Sequence, residues 1–347
     1  MPFKSRPYLL MSLLVLFVGC EENSSSRLDP PYPKSEVISD LIWGEKIQRQ
    51  AHGSDTWPMT WADDDNIYTA WADGSGFENT PRLSLGFGKI EGTPESFSGF
   101  NVRSESGEQY GDGPSGKKAS GMLMVDGLLL MWVRNADQSG NHCQLAWSSD
   151  YAKSWEWSDW VFEDFGYCSF LNFGKNYINS RDDYIYTYTP DVNSAYSPGD
   201  QLVIMRVIKN KFKEKDAYEF FSGYNDNEIP QWSTDKKKRE GIFNFPGYVM
   251  RHSVSYNNGL KRYLMWMQIP RPTIDTRFAG GFGVYDASEP WGPWTTVFFT
   301  EKWDTGPGET ANFPTKWMSE NGEIIHLVFS GNDSLSVREG KFFLHQK

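Results

Sequence analysis

The chain has 347 residues and a net charge of −11, from 45 acidic against 34 basic side chains, which excludes nucleic acid as a partner because that role needs a basic face. Aromatic residues make up 16% of it, including 15 Trp and 17 Tyr, a bias toward strands that also supplies flat rings for sugars to stack on. Its 3 cysteines and scattered histidines form no CxxC or HExxH spacing, so no metal is expected.

Residues 1–20 read as an export signal. Lys4 and Arg6 precede an apolar run over 9–18, which Gly19 and Cys20 close. That run is too short to cross a bilayer as a helix. "LFVGC" resembles a bacterial lipobox, in which Cys20 is the lipidated residue; a plain secretory signal is the alternative. Residues 21–45 are expected to be a flexible tether, since "EENSSSRLDPPYP" has no apolar periodicity, and 46–347 to form the folded domain. The expected location is periplasmic or at the cell surface, with contact to the membrane through the lipid only.

Past the tether, a pattern of strand, tight turn, strand, loop and strand returns about every 50 residues, which points to propeller blades. The modules are 57–62, 67–71 and 82–90; then 121–125, 128–133 and 143–148; then 169–177, 184–189 and 201–208, with 217–222 outside. A fourth comprises 253–256, 262–268, 281–285 and 294–299, and a fifth 313–318, 323–330 and 334–343. Asp126-Gly127, Asn258-Gly259 and Asn321-Gly322 mark tight hairpins, because these residues tolerate positive φ. The expected fold is all-β, a five-bladed β-propeller; a pair of β-sandwiches is the competitor. Residues 214–241 read as one long charged loop. "SSDYAKSWEW" (148–157) resembles the Asp-box turn of sialidase-type propellers, with Ala152 where that box has Gly. Cys143 and Cys168, on neighbouring modules, either pair or stay as buried thiols.

Several longer stretches resemble one family. They include "TWADDDNIYTAWADGSGF" (60–77), "RHSVSYNNGLKRYL" (251–264), "ASEPWGPWTT" (287–296), "GPGETANFP" (306–314) and "LVFSGNDSLSVR" (327–338). Together they resemble the domain-of-unknown-function 4185 family, from about Gly53 to the C-terminus. The resemblance implies a five-bladed propeller glycoside hydrolase, and an arabinan-like furanoside polymer as substrate. It also implies an essential Asp at the start of the innermost strand of the first blade, where Asp55 stands.

An antiparallel pair 57–62 and 67–71 brings Asp55 and Asp73 to one end and leaves Asp63, Asp64 and Asp65 at the opposite turn. Glycoside hydrolysis needs two carboxyl groups, one to protonate the leaving oxygen and one to attack or to activate water. Asp55 is the expected nucleophile or base, and an Asx cap is its structural alternative. Asp73, ahead of the "GSGF" loop that would admit a substrate, is the expected partner, and Glu309 the rival acid. Arg134, Arg251 and Asn312 are expected to bind substrate on the same face. Arg251 serves equally as an ion-pair partner, and Trp57 is either a stacking wall or core. The expected activity is hydrolysis of a polysaccharide by a monomer, which needs no organic cofactor; the alternative is a non-catalytic surface glycan-binding propeller.

Overall fold

The computed structural model describes residue 1, residues 28–271 and residues 280–346, so the signal segment and Cys20 lie outside the described residues. After β1 (Ile38–Gln50), the chain folds β2 (Met59–Trp61), β3 (Ile67–Trp71), β4 (Gly86–Thr93) and β5 (Ser96–Val102) into an antiparallel sheet in that order. A second sheet of four holds β6 (Lys118–Val125), β7 (Leu128–Arg134), β8 (Cys143–Ser148) and β9 (Glu156–Phe162). Its first hairpin turns at Asp126-Gly127, both at positive φ (49° and 76°), as a two-residue turn of this hand requires.

Next come β10 (Ser169–Asn172), β11 (Tyr184–Pro190), β12 (Gly199–Ile208), β13 (Glu219–Tyr224) and β14 (Pro230–Ser233), while β15 (Gly241–Val249) returns to pair with β12. They are followed by β16 (His252–Asn257), β17 (Arg262–Ile269), β18 (Gly281–Ala287) and β19 (Trp294–Thr300). The last run is β20 (Gly308–Asn312), β21 (Ile324–Gly331) and β22 (Leu335–Leu344), and β1 takes the outer edge of β22.

The all-β class agrees with the sequence reading, but the strands sort into four hydrogen-bonded sheets, three of four strands and one of ten. Two of the expected modules fuse because β10 and β16 pair in parallel, Leu171 opposite Val254 and Asn172 opposite Ser255. β2 contacts β6, β6 contacts β10, and β16 contacts β20, so the first strand of each module faces the next. They line a channel of about 20 Å³, with Met59, Met122, Phe170, Val254 and Phe313 among its walls, which has room for about one water. Gly121 permits this closeness: a Cβ there would lie 2.9 Å from the Ser169 Cα and 3.0 Å from the Phe170 nitrogen.

Between sheets the aromatic side chains pack as core. Trp132 has the rings of Phe162, Phe170 and Tyr218 at 5.7, 5.8 and 6.1 Å. In the Asp-box, Ser148 Oγ accepts from the Ala152 N–H at 2.9 Å and Asp150 from the Ser154 N–H at 2.8 Å, which aims Trp155 at Phe87 of the neighbouring sheet, ring centroids 4.9 Å apart. Cys143 and Cys168 are buried free thiols, and the Cys168 N–H donates to Cys143 Sγ at 3.1 Å. The acidic triple is fully engaged on the turn side: Asp63 accepts from Tyr151, Asp64 from Tyr68, and Asp65 from Trp61 and Lys175.

Three sequence expectations shift. The tether does not extend to residue 45: β1 starts at Ile38, and Ile38 and Leu41 are buried. A register irregularity between Ile38 and Asp40 breaks the strict two-residue alternation that would have revealed it. The chain docks even earlier, with the Tyr32 ring 4.8 Å from Phe243 and its hydroxyl accepting from the Asn244 N–H at 2.7 Å. The charged stretch 214–241 contains β13 and β14. The strand expected over 313–318 lies earlier, at β20; Pro314 is followed by a 3-10 turn (Thr315–Trp317), and the apolar Phe313 and Trp317 serve the core instead.

Because Leu41 is 3% exposed within β1, Leu41→Ala is expected to cost about 2–4 kcal/mol in denaturant unfolding. A change below about 0.5 kcal/mol, typical of an exposed tether, would contradict the placement of β1.

Candidate active site

Antiparallel pairing does place Asp55 and Asp73 together. The Asp55 N–H donates to the Ala72 carbonyl at 2.9 Å and the Ala72 N–H returns to the Asp55 carbonyl at 2.7 Å, which puts Asp73 one residue past the bridge. Thr56 and Asp73 both sit at positive φ, 46° and 47°. A β-branched residue there is strained, and such strain persists only where surrounding contacts enforce it. The "GSGF" loop is pinned rather than slack. The Gly76 N–H donates to Ser54 Oγ at 3.0 Å, the Phe77 N–H to Asn101 Oδ1 at 2.8 Å, and Gly74 exchanges backbone bonds with Leu83.

Two buried cations face these acids from the next sheet. Lys118 opens β6 and Arg134 closes β7, and they lie directly opposite each other in the ladder. Like charges in that register repel. The Lys118 ammonium forms an ion pair with the Asp73 carboxylate, which offsets the repulsion. Arg134 is 1% exposed; its Nε and Nη1 have no hydrogen-bond partner among the described residues, and its guanidinium lies 5.8 Å from the Tyr167 ring and 5.6 Å from that of Tyr196. From the far side Arg251, just before β16, donates to Glu309 of β20 at 2.6 Å. Burial opposes the Arg251 charge, but the Glu309 carboxylate outweighs it and raises its pKa.

Asp55 is half-buried at the centre of this cluster. Burial, then the negative charges of Glu309 and Asp73, push its pKa up to about 8 against the opposing pull of Arg134 and Lys118. His252 lies beside the cluster but carries no mobile proton: burial pushes it down to about 4. Its Nε2 is 2.9 Å from Ser169 Oγ and its Nδ1 3.2 Å from the Met250 carbonyl. Among the described residues no three His, Cys, Asp or Glu side chains are grouped to hold a metal ion.

The structure therefore gathers Asp55, Asp73, Glu309, Arg134 and Arg251 and sets two other candidates apart. Trp57 is wholly buried against Trp71 and Phe77, so its ring offers no wall to a sugar. Asn312 donates to the Trp57 carbonyl at 2.7 Å and lines the narrow channel, where it ties β20 to the segment before β2. Sequence reasoning missed Lys118 and Tyr196. Lys118 stands at the start of β6, as Asp55 stands ahead of β2, and was hidden because the sequence reading begins that strand at 121. Tyr196 is half-buried over Arg134 and Arg251, and its hydroxyl accepts from Asn135 Nδ2 at 3.0 Å. The Ala195 N–H donates to the Gly140 carbonyl at 2.9 Å and the His142 N–H to the Asn193 carbonyl at 3.0 Å, which fixes its loop.

No protein-family model matches the sequence, and no curated protein matches it. Among solved structures, the chain is similar to a GH43_1 enzyme from Xanthomonas citri at 11% identity, with 85% of this chain and 88% of that one covered and a TM-score of 0.47. It is also similar to an α-L-arabinofuranosidase from Podospora anserina, crystallised with cellotriose, at 11% identity over 91% and 98% of the two chains, TM-score 0.47. A β-xylosidase structure gives 11% identity over 86% and 95%, TM-score 0.49. These neighbours are glycoside hydrolases.

The raised pKa of Asp55 makes the folded state the better proton binder. Its contribution to stability is full below about pH 4 and is lost as pH rises through about 8. Asp55→Asn lacks this titration. The melting temperature of the variant minus that of wild type is therefore expected to climb from pH 4 to pH 8 and then level. A difference constant across that window would contradict the buried, proton-bearing Asp55.

Proposed function

We propose that this chain is a glycoside hydrolase on a five-bladed β-propeller, of the kind found in the domain-of-unknown-function 4185 family. On this reading the ten-stranded sheet counts as two blades joined by the short parallel contact of β10 with β16, and β1 completes the last blade. The observation that carries the function is the convergence of Asp55, Asp73 and Glu309 with a counter-cation for each of the last two.

One carboxyl must protonate the leaving oxygen while another attacks the anomeric carbon or activates water. Asp55, proton-bearing at neutral pH, takes the first task. Glu309, ion-paired to Arg251, takes the second, and Asp73 with Lys118 keeps a negative charge beside Asp55. This exchanges the role that the sequence suggested for Asp55, nucleophile or base, for that of acid. Arg251, 6% exposed and engaged by Glu309, serves the carboxylate before any sugar. The sequence resemblance supports an arabinan-like furanoside polymer as substrate. Lipidation at Cys20 would anchor the enzyme to a bacterial membrane, in the periplasm or at the cell surface.

A polysaccharide panel including D-arabinan, read by product release, is expected to reveal a polymer that the wild type cuts. Asp55→Asn and Glu309→Gln are each expected to lower that rate on the order of 10²–10⁴-fold. A proton donor works only while protonated, so the rate should fall as pH rises through about 8. A rate that climbs through that pH would return Asp55 to the base role. A polymer bound but not cut would make the chain a glycan-binding propeller.

A further inference from the structure

Arg134 is an expensive residue to keep. A charged guanidinium taken out of water costs several kcal/mol unless paired and hydrogen-bonded. Here it is 1% exposed, directly opposite the ammonium of Lys118 in the ladder, and two of its nitrogens have no hydrogen-bond partner among the described residues. The rings of Tyr167 and Tyr196, at 5.8 and 5.6 Å, partly replace its hydration. Its burial also keeps it from the substrate contact that the sequence suggested.

We propose that Arg134 is a positioning residue for the reaction: its buried charge acts on Asp55 through space, without a hydrogen bond, and keeps the Asp55 proton free to leave. This rests on the hydrolysis reading above. The backbone and the ion pairs bring these charges to Asp55 from four segments: Asp73 directly follows Ala72, the bridge partner of Asp55; Lys118 on β6 pairs with Asp73 and lies opposite Arg134 on β7; Glu309 on β20 brings Arg251 with it. Lys118 is committed to Asp73, and Arg251 to Glu309. That leaves Arg134 as the cation among these three with no carboxylate hydrogen-bonded to the nitrogens named. Burial and two carboxylates would otherwise bind the Asp55 proton too tightly for transfer near neutral pH. The two tyrosines shield the guanidinium from solvent, where its field would be screened.

The test compares wild type, Arg134→Met and Arg134→Lys in two measurements. The first needs no substrate: the pH at which the stability difference made by Asp55→Asn levels off within each background, which marks the midpoint of the folded-state titration. The second is the alkaline limb of kcat/KM on whichever polymer of the panel is cut. In Arg134→Met both are expected to move up by about one pH unit. Arg134→Lys, which keeps the charge, is expected to stay with wild type. Arg134→Met should also melt no lower than wild type, because a residue of similar volume replaces an uncompensated charge. Midpoints that coincide in folded Arg134→Met and wild type would overturn the proposal. Should Arg134→Met not fold, Arg134→Gln carries the same comparison, and failure of both to fold would overturn it in favour of a structural role. A shifted stability midpoint with no polymer cut would refute the hydrolysis reading but leave the action of Arg134 on Asp55 standing.

Discussion

Charge removed from water must be balanced within a few ångströms, and this requirement organises one end of the molecule. Asp55, Asp73 and Glu309 face Lys118, Arg134 and Arg251 there, with little solvent to screen any of them. No single sheet supplies both members of a pair: Asp73 and Lys118 come from the first and second sheets, Arg251 and Glu309 from the ten-stranded sheet and the last. The ion pairs therefore act as ties across sheets as well as a reactive centre. Breaking one partner leaves the other buried and unpaired, which typically costs several kcal/mol.

The rest of the fold is what makes that convergence possible. Short first strands meet around a channel with room for about one water, too narrow for a sugar. Glycine at 121 lets two of those strands approach backbone to backbone. The positive φ of Thr56 and Asp73 marks where the chain bends out of the ladder to aim its acids. At the periphery, β1 returns from the N-terminal side to cover the edge of β22 and becomes the outer strand of that sheet.

How much of this was legible in sequence depended on how local the cause was. The pairing of Asp55 with Asp73 followed from a single hairpin, whose antiparallel geometry fixes which residues share an end. Asp126-Gly127 located its turn through an equally local cause, the tolerance of both residues for positive φ. Burial was not legible: Trp57 and Asn312 sit at the right ends of strands, but one points into core and the other into the channel. Lys118 escaped because the strand was begun three residues late, and β1 because an irregular register hides its alternation. The fusion of two modules through β10 and β16 depends on two backbone pairs between segments about 80 residues apart, which no local pattern encodes.

The proton on Asp55 is the centre of the account, since the assignment of acid and carboxylate roles and the part given to Arg134 both depend on it. Site-resolved titration of the aspartate carboxyl carbons by ¹³C NMR, with the Asp55 resonance identified by its loss in Asp55→Asn, measures it directly. The account predicts a midpoint near 8 for Asp55. A midpoint near 4, the ordinary value for an aspartate, would contradict it.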